Sequence, residues 1–350
     1  MVRGKQVVFP QVRPNIRAVA KLAKVSGATV SRTINNIPTV DPRLSRKVRK
    51  AIAELGFSPN AQARALVSGR SRLLGLIVSE ITSPFSPELI QGFEYSAVEY
   101  GYEILVGSTK SETKRLEICI QRMLERKVDG VAVMTFGVEA PLLDRLADLN
   151  LPLVFVDVSP KGPLFSTIEV DYLHGIREAV QHLAVLGHRK IAFINGPLQQ
   201  HSARARQSAF LRAAAEIGRT PASTWLQEGD HTLEGGILAT EAILRVSDHP
   251  TAIMTSNDMT AIGVLHALHK TGHRVPQDFS VVGFDDVNIA RFTFPPLTSV
   301  QMSRGDLARC AVQALLNHFE PSLNPQREQY KVETRLIVRR STDFPNNRTP

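Results

Sequence analysis

From Leu73 onward the chain alternates short β-type runs with helix-length amphipathic segments, and few folds satisfy that rhythm. The strand candidates span residues 73–79, 102–107, 130–135, 151–157, 190–196, 251–256 and 280–286, with helical segments such as 112–127 and 172–186 between them. Near-continuous apolar runs mark strands buried on both faces, so the pattern predicts parallel sheets covered by helices on either side. There are too many strands for one comfortable sheet, and a fresh strand–helix series begins near Val170. The expectation is an α/β region of two similar lobes. At 350 residues, 43% of them hydrophobic, the chain can bury sizeable cores in two or three domains.

The residues before this region differ in charge. Through Arg72 there are fifteen Lys and Arg against two acids, Asp41 and Glu54, whereas the remainder holds 27 against 31. One small module is thus about +13 and everything after it about −4. Such a field implies a polyanionic partner for that module, and nucleic acid leads because Lys and Arg on phosphates release condensed counterions. A solvated basic tail would carry the same charge, so the residues inside must decide. Residues 17–23 read as a short helix with Val19, Ala20 and Ala23 on its apolar face. Lys24 and Val25 form a turn, and Ser26 is a good N-cap for a second helix over 27–35, with Thr29, Ser31 and Arg32 in its first two turns. Asp41 and Pro42 start a third helix, whose stripe Leu44, Val48, Ala51, Ile52 and Leu55 closes a core before Gly56 ends it. Arg43, Arg46, Lys47, Arg49 and Lys50 ride on its outer face. Two short helices joined by a tight turn can lay the second in the major groove of DNA.

Other classes find little support. No run of about 18 apolar residues is present, so no transmembrane helix is expected. The opening residues are basic without an apolar core, unlike a secretory signal, and residues 1–14 read as a disordered arm. Cys119 and Cys310 sit alone without metal or redox spacing, which suits core packing in a reducing cytoplasm. His182, His188, His266 and His269 are scattered and suggest no metal site.

In open parallel sheets ligands collect beyond the carboxyl ends of strands. Asp157, Asn257-Asp258 and Asp285-Asp286 all follow strand candidates, and Arg206 lies early in the helix after Asn195-Gly196-Pro197. Acids, an amide and an arginine converging on a cleft suit a ligand rich in hydroxyls, with Phe85, Phe136 and Phe284 as apolar walls. Two alternatives share features. A transport binding protein has the fold but needs export and has no use for the basic module. A glycosidase would pair Asp157 with Asp285, yet no nucleophile elbow, phosphate loop, H-E-x-x-H or dinucleotide motif accompanies them.

The runs VAKLAKVSGATVSRTIN and GFSPNAQARAL resemble the DNA-binding region of the LacI/GalR (lactose-repressor) family of bacterial transcription regulators. SPFSPELIQGFE, RKVDGVAV, HLAVLGHRKIAFI, SNDMTAIGVL, VPQDFSVVGFDD and PPLTSV extend the likeness through the α/β region. The resemblance implies a helix-turn-helix module over 15–59, a hinge helix and linker over 60–72, and a periplasmic-binding-protein-like domain over 73–342, with 343–350 a polar tail. Its lobes would be about 73–170 plus 301–328, and 171–300 plus 329–342. It implies a DNA-contacting set of Ser26, Gly27, Ala28, Thr29, Ser31, Arg32 and Asn35. Thr29 and Ser31 would bond phosphates and Arg32 would read a base edge. Gly27 and Ala28 fall where members vary, and being small they leave the base reading open. Asn60, Ala63, Arg64 and Leu66 match the minor-groove hinge, Leu66 being the wedge between base pairs. Phe85, Phe136, Asp157, Arg206, His231, Asn257 and Asp285 are the implied effector set, with His231 where an aromatic ring can stand and Met302 where a polar ligand residue can occur. A sugar or sugar acid is the implied effector and a nucleobase the weaker alternative; no cofactor is called for. A homodimer on double-stranded DNA with a pseudo-palindromic operator follows, with helix residues 93–100 a candidate contact.

Overall fold

The computed structural model describes residues 14–34, 37–58, 69–110, 112–135, 142, 145–146, 148–158, 162–222, 225–319 and 330–346. The expected arm up to residue 13, Asn35, Phe136 and the hinge residues Asn60, Ala63, Arg64 and Leu66 lie outside them. The chain divides into two compact units, Met1–Ser71 and Arg72–Pro350.

The first unit is built from α1 (Ile16–Ala23), α2 (Gly27–Ile34) and α3 (Pro42–Leu55). Asn15 caps α1 by accepting from Ala18 N at 3.0 Å, and Lys24 ends it in the left-handed region at φ 54°. Ser26 Oγ then accepts from Thr29 N at 3.1 Å and starts α2. Asp41 caps α3 through Arg43 N, with Pro42 at the first helical position, and Gly56 closes it at φ 60°. Val19, Ala20, Ala23, Val30, Val48, Ala51 and Phe57 form the buried core. Leu44, expected in that core, is exposed in the first turn of α3.

The second unit runs β1 (Leu73–Val78), α4 (Ser86–Glu99), β2 (Glu103–Ser108), α5 (Thr113–Glu125), β3 (Gly130–Met134), β4 (Leu153–Val156) and β5 (Phe165–Asp171). It continues through α6 (Tyr172–Val185), β6 (Ile191–Asn195), α7 (His201–Glu216), β7 (Leu226–Glu228), α8 (Leu233–Leu244), β8 (Ala252–Thr255) and α9 (Asp258–Lys270). After β9 (Ser280–Asp285) come a 3-10 turn (Asn288–Phe292), β10 (Thr298–Met302), α10 (Arg304–Phe319) and β11 (Tyr330–Ile337). Strands order as β2-β1-β3-β4-β5-β11-β10-β9-β8-β6-β7. Every pairing is parallel except β10 with β11.

β11 joins the two lobes. Tyr330–Glu333 pair with Ile168–Asp171 of the first, and Thr334–Ile337 pair with Ser299–Met302 of the second. Residues 330–333, expected in the second lobe, thus complete the first. Residues 301–302, expected in the first, lie in the second. The chain passes between lobes three times, at β5–α6, β10–α10 and within β11.

Phe93, offered as a dimer-contact residue, is buried in the core together with Ala97, while Tyr95, Val98 and Tyr100 on the same stretch are exposed. Met302, where a polar ligand residue can occur, is wholly buried among apolar core residues. Both cysteines are half-buried against apolar clusters. The polar tail is partly docked: Asp343 N donates to Ser280 Oγ, and its carbonyl accepts from His188. Among the described residues, no helix is long and apolar enough to cross a membrane, and no cluster of three His, Cys, Asp or Glu could hold a metal.

Candidate nucleic-acid and ligand sites

On α2 the buried positions Val30 and Thr33 face the core, which leaves the opposite face to solvent. Ser26, Gly27, Ala28 and Arg32 are exposed there, with Thr29 and Ser31 half-buried. Thr29 is partly engaged already, its hydroxyl lying 2.9 Å from Ser26 Oγ. A helix N-terminus with small residues, a hydroxyl pair and an arginine one turn on is a shape that approaches a polyanion closely.

The second site forms where β4, β6, β8 and β9 end. Four residues other than glycine take left-handed backbone there: Asp157 (φ 56°), His231 (φ 66°), Asp285 (φ 102°) and Asp286 (φ 55°). Such conformations cost on the order of 1–3 kcal/mol each and persist where surrounding structure over-determines them, commonly at functional sites. At the centre lies Arg206, buried, its guanidinium 4.2 Å from the Phe284 ring centroid and 5.2 Å from that of Tyr172. Its Nη1 donates to Ser256 O at 2.5 Å and its Nη2 lies 3.6 Å from Asp285 Oδ1. Phe284, expected as a wall, is a buried platform beneath this cation.

The acids divide into two pairs. Burial pushes the Asp285 carboxyl up to about 6 despite the opposing charges of Arg206 and Arg304. Burial also raises Asp157, against hydrogen bonds from Tyr172 Oη at 2.5 Å and Val170 N at 3.0 Å. Asp258 and Asp286 serve the scaffold instead. Asp258 is fully buried, accepting from Ser299 Oγ at 2.6 Å and Val287 N at 2.8 Å. Asp286 pairs with Arg339 at 2.6 Å and accepts from Gln301 at 2.9 Å.

Asn257 spends Oδ1 on capping α9 at Thr260 N and Nδ2 on the His231 carbonyl, so it positions the His231 loop. Burial, then the Arg206 charge, push the His231 imidazole down to about 3, so it is neutral, and its Nε2 has no partner among the described residues. Phe85 is half-buried, 5.7 Å from the Arg304 guanidinium. Arg304 was not anticipated. All five of its N–H groups are used: on Glu88 of α4, on the carbonyls of Met302 and Asp286, and on that of Asp285. It ties helix α4 of the first lobe to the end of β9 in the second. Asn195, Ser202 and Ser256 were also missed; the place of Asn195 and Ser256 at or just past strand ends hinted at two of them, while Ser202 lies in the first turn of α7.

This fold and cleft define a two-lobed ligand-binding domain carried on the same chain as a basic helix-turn-helix module. A profile described as periplasmic binding protein-like domain matches residues 180–342, and one described as bacterial regulatory proteins, lacI family, matches residues 15–60. The HTH-type transcriptional repressor PurR of Photobacterium profundum is 32% identical over 327 residues, 93% of this chain and 98% of that protein. The ribose operon repressor of Escherichia coli is 32% identical over 316 residues, 90% and 96% respectively. The lac repressor dimer bound to operator and the anti-inducer ONPF superposes with a TM-score of 0.83 at 28% identity, covering 95% of this chain and all of that one. The chain belongs to the LacI family of bacterial transcription regulators.

Proposed function

We propose that this protein is a transcriptional repressor that binds a pseudo-palindromic operator as a homodimer, and that a carbohydrate held between its lobes changes its operator affinity. The observation that carries the reading is the buried Arg206 cluster at the strand ends, on a chain whose other unit presents α2 in a strongly basic surface. Gly27, Ala28 and Arg32 would approach base edges while Thr29, Ser31 and the surrounding cations hold phosphates. Asn60, Ala63, Arg64 and Leu66 carry the sequence of a hinge that enters the minor groove, with Leu66 as its wedge. Exposed Tyr95, Val98 and Tyr100 on one lobe, and Ile289, Phe292 and Phe294 on the other, are apolar surface suited to a second copy.

Coupling follows from the three passages between lobes. A ligand touching Arg206 and Asp285 on one side and Asp157 on the other favours one lobe arrangement, and operator affinity shifts by as much as the ligand discriminates between arrangements. An inducer favours the weak-binding arrangement and a co-repressor the strong. The test begins with selection of duplexes from a random library at about physiological salt, where nonspecific phosphate binding is weak. A two-fold symmetric motif is expected, and a sugar panel then identifies the compound that alters retention. Arg206→Ala should abolish that compound's effect; an unaltered response would overturn the cleft assignment.

A further inference from the structure

Asn195 ends β6, is almost completely buried, and neither Nδ2 nor Oδ1 has a hydrogen-bond partner among the described residues. Its direction follows from strand alternation. Ile191 and Phe193 pack in the core that holds Phe210 of α7, with the two phenyl rings stacked at 4.8 Å, while Ala192 and Ile194 belong to the opposite core. Asn195 therefore falls on the α7 side. Ser202 in the first turn of α7 and Arg206 one turn later lie on that helix's buried face, and Ser202 Oγ and Arg206 Nε are likewise unpartnered among the described residues. Ser256, just past β8 and in phase with core residues Ala252 and Met254, has an unpartnered Oγ. A buried polar group left without a partner is destabilising, so this convergence is retained against a stability cost.

We propose that Asn195 is a specificity-determining residue of the effector site, which with Arg206 Nε and the hydroxyls of Ser202 and Ser256 accepts the adjacent hydroxyls of an uncharged carbohydrate and rejects its acidic or phosphorylated counterpart. The inference rests on the carbohydrate-effector reading and narrows it. A carboxamide and two hydroxyls both donate and accept, as do neighbouring sugar hydroxyls. An anion fares worse, because the local positive charge is already spent. Arg206 lies beside Asp285, and the second carboxylate, Asp157, is held by Tyr172 of α6. The Arg304 guanidinium is saturated by Glu88 and three carbonyls, and Arg339 is paired with Asp286. A phosphate or carboxylate in such a place lacks the uncompensated arginine that would recognise it.

The test uses isothermal titration of the full chain with D-ribose, D-glucose and D-galactose, and in parallel with D-ribose 5-phosphate, D-glucose 6-phosphate and D-galacturonate. At least one neutral sugar should bind, at least roughly tenfold more tightly than its charged counterpart. Asn195→Leu and the near-isosteric Asn195→Asp should each weaken that sugar by about tenfold or more, with melting profiles confirming that one or both fold. A charged member binding as tightly as its neutral parent, or wild-type affinity in a folded Asn195 variant, overturns the proposal and leaves the carbohydrate reading standing. Silence of every sugar in both sets overturns both.

Discussion

At the scale of single residues, Gly196 is where the cleft has least room. A Cβ there would fall 1.9 Å from His231 Nε2, so the neutral imidazole rests directly on the glycine backbone. Gly196→Ala should push the ring aside, lower the stability of the second unit by roughly 1–3 kcal/mol and weaken ligand binding. Unchanged melting and titration curves would show that the ring does not pack there. Asp285 supplies a pH dependence. Its folded value, about 6, lies above the ordinary carboxylate value of 3.8, so the folded state binds the proton more tightly than the unfolded chain does. The stabilisation from protonated Asp285 is complete below about pH 4 and is lost as pH rises through 6. Burial lowers His182, His188 and His231, which acts in the opposite sense, destabilising as pH falls below the ordinary histidine value. Asp285→Asn should remove the carboxyl contribution alone. Melting temperature against pH should then fall less steeply between about 4 and 6; an unchanged slope would mean that Asp285 titrates normally. The resemblance singled out Asp157 and Asp285, but nothing in the residues themselves sets them apart from Asp258 and Asp286. Only folding separates the two that crowd Arg206 from the two consumed by Ser299 and Arg339.

At the scale of elements, caps and apolar runs spoke clearly. The third helix starts at Asp41-Pro42 and stops at Gly56, because the carboxylate cap, the fixed proline φ and the left-handed glycine are each local effects. Asp41→Ala should cost the first unit about 0.5–2 kcal/mol and lower operator affinity, measured by melting and by filter retention. Equal stability in the variant would show that Pro42 alone suffices to start the helix. Strands with mixed composition were harder to read. β5 carries Ser166, Thr167 and Glu169, β10 carries Gln301, and β7 is three residues long, so none presents a continuous apolar run. β11 alternates buried Val332 and Thr334 with exposed Lys331, Glu333 and Arg335, so it too lacks a continuous apolar run. The orphaned amide of Asn195 was equally invisible, since a missing partner is a property of everything around it.

At the scale of the whole molecule, two lobes, a cleft and a separate basic module were apparent from rhythm and charge, whereas the strand that joins the lobes was not. The exposed side chains of Phe292 and Phe294, the latter 96% accessible, bear on the proposed assembly. Replacing both by Ser should shift sedimentation from dimer toward monomer and weaken operator binding, because two half-sites are then no longer held by one particle. A variant of undiminished mass would place the contact on the exposed side of α4 instead.

Because β11 completes both sheets, neither lobe has its full set of strands until residue 337 has left the ribosome. The basic module is synthesised first and makes its core from residues 19–57 alone. A growing chain therefore passes through a long interval in which a finished nucleic-acid reader trails an unfinished sensor with unpaired strand edges.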